Sequence, residues 1–520
     1  MGRGALIVAL LAGVLTTIAR AEPPVVAGSW PCYSGPSFTF ASTPGAKLID
    51  DMTAAKLLWQ SEETEIGFTK SDSAYGRSLA NFGALNPGGL CSPIVADGLV
   101  LLSYFEPTGD VYDTSYKKVI GEANYEQYEH KARVMANDVV IAIDAATGKT
   151  RWKNSYEGGR NLGSGKRNLY GVTPAAANGK VYTVGTTGAM RAIELASGKL
   201  LWETPPWTEL VTKRNAAIAA AKEDKSAFAN ADGPTGWLTV IDDIVLVPLS
   251  TANHTRGGKM RAVEASTGKT LWEAAGHPNN FTFTMIDGRR AMVSVRQAID
   301  LKTGKTLWSD AAKPAVTSPP VMGKELLVSY DTHPKADALL QAKEKSDRKG
   351  VQAFGLLTAF AVSNKGLTVK WQLPDTYATW LLPDDGGFLK TVPRDGLLFH
   401  VSQAWGEEKQ AKLLIIREAD GKILAAQNIR GGYPYLWGDR LILVSDMWHR
   451  PRAANAELWQ MFTIDPNDFK PLGNPWHVNG NPPVHTATGG YEISQIEAFA
   501  DGLAFSRVAG GIRCYDLRKP

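Results

Sequence analysis

Short apolar runs, each stopped by a tight polar turn, recur along the chain from about residue 48 onward. Val181 to Val184, Ile244 to Val247, Leu326 to Val328 and Leu441 to Val444 are examples; they read as strands because they are brief, rich in branched residues and flanked by turn formers. The turns are Asp97-Gly98, Asn178-Gly179, Asp242-Asp243, Asp287-Gly288, Gly323-Lys324, Asp395-Gly396, Gly438-Asp439 and Asp501-Gly502. A second kind of turn follows the first seven of them. It is clearest in AIDAATGKTRW (Ala142 to Trp152), AIELASGKLLW (Ala192 to Trp202), AVEASTGKTLW (Ala262 to Trp272) and AIDLKTGKTLW (Ala298 to Trp308). Looser copies run from Ala359 to Trp371, Ile415 to Gln427 and Phe462 to Gly473. Each unit is therefore strand A, tight turn, strand B, connection, strand C, second turn, strand D. Eight such units predict an all-β chain closed into an eight-bladed β-propeller.

The second turn has fixed physical parts. Gly148, Gly198, Gly268 and Gly304 stand where a tight reversal needs positive φ. The Trp that opens strand D is too large to be indifferent to water: burying roughly 150 to 250 Å² at about 25 cal/mol/Å² is worth on the order of 4 to 6 kcal/mol. Trp59, Trp152, Trp202, Trp272, Trp308 and Trp371 are accordingly assigned to docking one blade on the next. The ends fit the same scheme. Leu48 to Trp59 supplies a D-like strand with no A, B or C before it, and Ile512 to Leu517 supplies a C strand with no D after it. The two halves complete one blade, which removes both open edges.

The pattern A-[IV]-[DE]-x-x-[ST]-G-K-x-x-W resembles the tryptophan-docking motif of the pyrroloquinoline-quinone-like (quinoprotein) β-propellers, over residues 48–520. That resemblance implies an indole packed against the neighbouring blade. Trp30 to Pro36, WPCYSGP, is similar to the W-P-x-[FY]-x-G-P opening of secreted propellers of this kind, and residues 22–47 read as an extended lead-in packed on one side of the ring.

Composition narrows the partners. The net charge is +4, and removing Arg3 and Arg20 with the leader brings it close to balance, so neither nucleic acid nor an anionic membrane is favoured. Residues 1–21 carry Arg3, the apolar run Ala5 to Ile18 and Ala19-Arg20-Ala21, which read as a secretory signal cleaved after Ala21. The expected mature chain is exported, periplasmic or extracellular, monomeric and without a transmembrane segment. Cys32, Cys91 and Cys514 allow at most one disulfide and do not say which.

Antiparallel order puts the A–B and C–D turns on one face, here the turn face, and the B–C and D–A connections on the other, the loop face. The long insertions, at about 112–135, 207–230, 333–350 and 474–491, all fall on the loop face, where a rigid ring usually displays function. His254, His333 and His449 lie there with Asp331 and Asp446 at strand ends, a composition suited to a metal or acid–base site, and Arg450 beside Trp448 could hold a carboxylate. No H-x-x-x-H spacing, C-x-x-C-H, vicinal Cys pair or nucleophile motif accompanies them. Catalytic residues and metal ligands are therefore not assigned. The chain is similar to the outer-membrane-assembly propellers of the family, which implies a binding or scaffolding role at the cell envelope, with an envelope protein or glycan as partner and no cofactor. Two alternatives stay open: a quinone-dependent oxidoreductase of alcohols or sugars, using pyrroloquinoline quinone with calcium, and a glycan-binding or glycan-cleaving propeller. The last would need two carboxylates about 5 to 9.5 Å apart.

Overall fold

The computed structural model describes residues 28–42, 45–64, 66, 91–111, 133–160, 171–212, 215–216, 234–249, 258–313, 319–332, 353–377, 379–381, 391–402, 411–429, 432–445, 458–476, 498–508 and 511–520. Eight antiparallel sheets stand around an axis, and each follows the A-B-C-D order. The innermost strands are Ile94–Ala96, Ala175–Ala177, Thr239–Ile241, Thr282–Ile286, Val321–Met322, Thr391–Arg394, Tyr433–Trp437 and Ala498–Ala500, for blades 1 to 8 in turn. The eighth sheet takes its outer strand, Lys56–Gln60, from the other end of the chain: Lys56 pairs with Asp516 and Trp59 with Cys514. The protein is thus an eight-bladed β-propeller sealed by its N-terminal strand.

The tight A–B turns form because their residues tolerate the left-handed region. Asp97, Asn178, Asp242, Asp287, Asp395 and Asp501 all have φ between 48° and 52°. In blade 5 the turn at Gly323 has no such pair. It is held instead by the buried Glu418 of blade 6, whose carboxylate accepts the backbone N–H groups of Lys324, Glu325 and Leu326 at 2.7, 2.7 and 2.8 Å.

In the C–D turns the acid orders the reversal. Asp144 accepts from the Thr147 amide at 3.0 Å and hydroxyl at 2.9 Å, and Asp300 accepts from the Thr303 amide and hydroxyl, both at 2.8 Å. The Thr147 hydroxyl holds the Asp144 carboxyl below the usual carboxylate range. One residue before each Trp, strand D carries a bulge. Leu200 faces Ile193 and Trp202 faces Ala192, so Leu201 is the extra residue; Leu58 and Leu271 stand in the same place. These three Leu are exposed because the bulge turns them outward while aiming the Trp at the next blade.

Five of the six docking indoles reach the next C–D turn twice. Each N–H donates to a backbone carbonyl: Trp59 to Ala145 at 3.0 Å, Trp152 to Leu195 at 2.8 Å, Trp202 to Ala265 at 3.1 Å, Trp272 to Leu301 at 2.9 Å and Trp371 to Glu418 at 2.6 Å. Each ring lies flat over the turn glycine. A Cβ on Gly148, Gly198, Gly268, Gly304 or Gly421 would come within 2.6 to 2.8 Å of the ring docked there. Trp308 differs. It is half-buried, its Nε1 has no hydrogen-bond partner among the described residues, and the blade 5 turn it faces has Gly366 with nothing near its Cβ position. Asn364 with Asp287, and Lys313 with Asp331, tie blades 4 and 5 instead. At the blade 6 to 7 seam, Gln427 takes the place of the Trp and donates to the Phe469 carbonyl at 2.8 Å.

Cys32, Cys91 and Cys514 are free and buried. Burial pushes their thiols up to about 11, 12 and 12. No helix among the described residues is long and apolar enough to cross a membrane. Of the insertion at 207–230, residues 208–212 and 215–216 are helical; residues 112–132, 213–214, 217–230, 333–350 and 477–491, like the proposed signal at 1–21, lie outside the described residues.

Two glycines separate the two roles of the C–D turn residue. Gly268, in a C–D turn, and Gly288, in an A–B turn, share φ of 74°, but a Cβ added to Gly268 would come within 2.7 Å of the Trp202 ring and one added to Gly288 would meet nothing within 4 Å. Gly288→Ala should cost about 1 to 2 kcal/mol for the left-handed backbone alone, and Gly268→Ala clearly more. Trp202→Ala should cost roughly 3 to 5 kcal/mol. Melting temperatures of the three variants check this, and equal shifts for the two glycine variants would refute stacking on Gly268.

Candidate functional site at the mouth of the channel

The lead-in does not lie on one side of the ring; it runs through the middle. Gly28 sits against Asp501 at the turn face of blade 8. Trp30 then pairs with Val95 of the blade 1 inner strand, and the Ala176 amide of blade 2 donates to the Pro31 carbonyl at 2.7 Å. Phe38 packs on Phe283 of blade 4, and Ala41 pairs with Leu436 of blade 7. Ser42 leaves at the turn face, its carbonyl held by Arg394 at 2.6 Å. Only the axis is within reach of the inner strands of blades 1, 2, 4 and 7 together. The segment therefore goes in and out by the turn face and presents its tip to the loop face. Inner strands have an open edge toward the axis, and the lead-in satisfies part of it as added strand. This corrects the expectation of a one-sided lead-in, for a reason no local pattern carries: its pairing partners lie far along the chain, Leu436 among them.

At the loop face the connections into the inner strands are bonded to one another in a collar. Arg507 of blade 8 donates to the carbonyls of Ile66 at 2.7 Å and Cys91 at 3.1 Å; burial pulls its guanidinium down to about 10. The Ser92 amide donates to the Thr173 hydroxyl at 3.0 Å. Gly171–Thr173 pairs in parallel with Thr235–Trp237. Asn279 then accepts from the Trp237 amide at 3.2 Å and donates to its carbonyl at 3.1 Å, which caps that ribbon as a strand would. Further out, Asp138 and Arg191 join blades 1 and 2 at 3.4 Å, with Glu203 on Arg191 at 2.7 Å and the guanidinium over the Tyr156 ring. Burial pushes the Asp138 carboxyl up, and Arg191 and the Thr186 amide work against that.

Beyond Asn279 the collar meets Pro319 and Pro320, which have no N–H to offer it. Here lies a small, shallow depression between blades 3, 4 and 5 and the tip of the lead-in. Phe38, Trp237, Phe281, Phe283, Pro319 and Pro320 form most of its wall, with Ser34, Thr239 and Asn279 as polar points. Among the described residues no charged side chain lines it. Asp331, the described member of the expected histidine–acid set, is engaged by Lys313 at 2.5 Å. His254, His333, Asp446, His449 and Arg450 lie outside the described residues. Among the described residues no group of three His, Cys, Asp or Glu could hold a metal.

Fold and repeat together define the class: the chain is a β-propeller of pyrroloquinoline-quinone-like repeats. Residues 130–280 match the family model described as PQQ_2, outer membrane protein assembly factor BamB. No curated protein matches the sequence. Among solved structures, the quinohemoprotein alcohol dehydrogenase from Comamonas testosteroni is similar at a TM-score of 0.51 and 12% identity, covering 95% of this chain and 81% of that one. A europium-containing methanol dehydrogenase gives 0.47 and 11%, covering 94% and 97%. BamB from Moraxella catarrhalis gives 0.41 and 10%, covering 74% and 91%. At such identities the likeness is one of fold.

The fold invites a test for pyrroloquinoline quinone. That cofactor is a polyanion and needs cations or a metal beside it. The depression offers none among its described residues, and the Asn279 amide is already spent on Trp237. The residues described at the mouth do not fit it.

Asn279→Ala would leave the Trp237 amide and carbonyl without partners, at a cost of about 2 to 4 kcal/mol. The expected result is a lowered melting temperature and faster proteolysis near Trp237; an unchanged melting temperature would show that the collar carries no stability.

Proposed function

We propose that the protein is an exported, non-catalytic scaffold of the cell envelope that holds a protein partner on its loop face. The observation that carries this reading is the content of the axis. A segment of the chain itself runs along the axis, and among the described residues the depression at its mouth is lined without charged side chains, where a quinone enzyme would need a clasp of charged groups. The match of residues 130–280 to the BamB family model supports it. In this reading residues 1–21 direct export, and the docking tryptophans and glycines serve the ring alone. The loop-face segments bearing His254, His333, Asp446, His449 and Arg450 are then partner contacts.

The test uses the purified mature chain with added pyrroloquinoline quinone and calcium. The expected outcome is no change in melting temperature and no dye reduction with alcohols or sugars. Capture from envelope extract should yield a protein that is lost when one of the segments 112–135, 207–230, 333–350 or 474–491 is deleted. Tight cofactor binding with turnover would overturn the reading in favour of a quinone-dependent oxidoreductase.

A further inference from the structure

The docking positions do not hold the ring equally. Trp59, Trp152, Trp202, Trp272, Trp371 and Gln427 each donate to a carbonyl of the next turn, and Trp308 donates to none among the described residues. Its Nε1 is nevertheless shut away from water, which is the costly way to leave a donor. The turn it meets gives no seat either. In blade 5 that turn is a two-residue reversal, with Ser363 paired to Gly366, so it has neither the acid–Thr frame nor a glycine under the ring.

The buried core repeats the asymmetry. One apolar cluster runs without a break from blade 5 through blades 6, 7 and 8 to blade 1 and takes in the lead-in. Blades 1 and 2, 2 and 3, 3 and 4, and 4 and 5 are joined by separate, smaller clusters. The ring is therefore one continuous arc, blades 5 to 1, with a jointed arc, blades 2 to 4, hung from one end of it. The far end of the jointed arc is the seam between blades 4 and 5. Beyond that seam blade 5 is fixed to blade 6 by the three amides on Glu418 and by Trp371. Blade 4 is tied to blade 5, besides its small cluster, by the partly exposed pair of Lys313 with Asp331 and the exposed contact of Asn364 with Asp287. Polar contacts so close to water contribute little and weaken with salt.

We infer that the ring opens at this seam: blade 4 parts from blade 5 by local opening while the other seams stay closed. Opening brings water to Val293, Met322 and Phe360, which the seam buries, and makes the axis reachable from the side of the ring. It also loosens the segment on the axis, because the lead-in tip rests on blade 4 through Phe38 and Phe283. The inference concerns the ring itself and stands apart from the scaffold reading.

The repeat supplies the test. Ala142, Ala192, Ala262 and Ala298 stand at the same place in successive blades, each fully buried and each paired across strands C and D with the Trp of its blade. Each also belongs to the cluster that joins its blade to the next. Each is replaced in turn by Cys in the full mature chain, and labelling by a water-soluble aromatic disulfide is followed under native conditions. The wild-type chain sets the background from Cys32, Cys91 and Cys514. A buried thiol reacts only when its surroundings open, so the rate reports how often that seam parts. Ala298→Cys should be labelled about tenfold faster than the other three, as expected for a seam short of one hydrogen bond and its stacked ring. Raised salt, or Lys313→Met in the same chain, should speed it several-fold further and leave the other three unchanged. Circular dichroism confirms that each variant is folded, and Ala291→Cys, buried in the same cluster, reads the seam if Ala298→Cys is not. Equal rates at all positions, a faster rate at another seam, or a rate at Ala298→Cys indifferent to Lys313→Met would overturn the inference.

Discussion

An indole laid over a glycine is the contact on which this ring depends. Each blade is a small twisted sheet that cannot bury its faces alone, and each must be held at a fixed angle to the next. The indole supplies both parts of that hold: apolar area against the neighbouring turn, and a directed N–H to a single carbonyl, as between Trp272 and Leu301. The bulge before the Trp and the acid–Thr turn beneath it serve this contact, the first by aiming the ring and the second by fixing the surface it meets. Where the Trp is absent, Gln427 keeps the donated hydrogen bond and gives up the area.

The blades and the A–B turns were legible in the sequence because each is local, and the closure because the repeat is left incomplete at two distant places that complement each other. Asp97-Gly98 can hardly be anything but a tight turn, and Trp59 without strands before it has no use except to finish another blade. The glycines were legible for only half their reason. Positive φ can be read from Thr-Gly-Lys, but the ring above Gly268 belongs to Trp202, in the blade before. The bulge was hidden because an exposed Leu before a Trp looks like ordinary strand alternation.

The candidate site was the least legible part. Histidines and acids on long connections drew attention because their chemistry is plain from residue type. The mouth, however, is built from Phe, Pro, Trp and Asn, whose meaning depends on which blades they come from. Asp331 shows the difference: as a strand-end acid it looked available, and its carboxylate is engaged by Lys313 from the preceding connection. Nothing between Trp30 and Ser42 announces that its partners include Val95, Ala176 and Leu436.

The enclosed lead-in has a kinetic consequence. The bonds between Ser42 and Leu436 and the pairing of Lys56 with Asp516 join positions nearly the whole chain apart, so they repay their loop-closure entropy only after the intervening blades have formed. Until strand Gly511–Asp516 is in place, Lys56–Gln60 is an unpaired edge and the channel stands open. Sealing the ring and trapping the segment inside it are then one event, which carries the largest loop-closure cost of the fold. A chain halted before that step would expose the edges and the aromatic segment that the finished molecule hides.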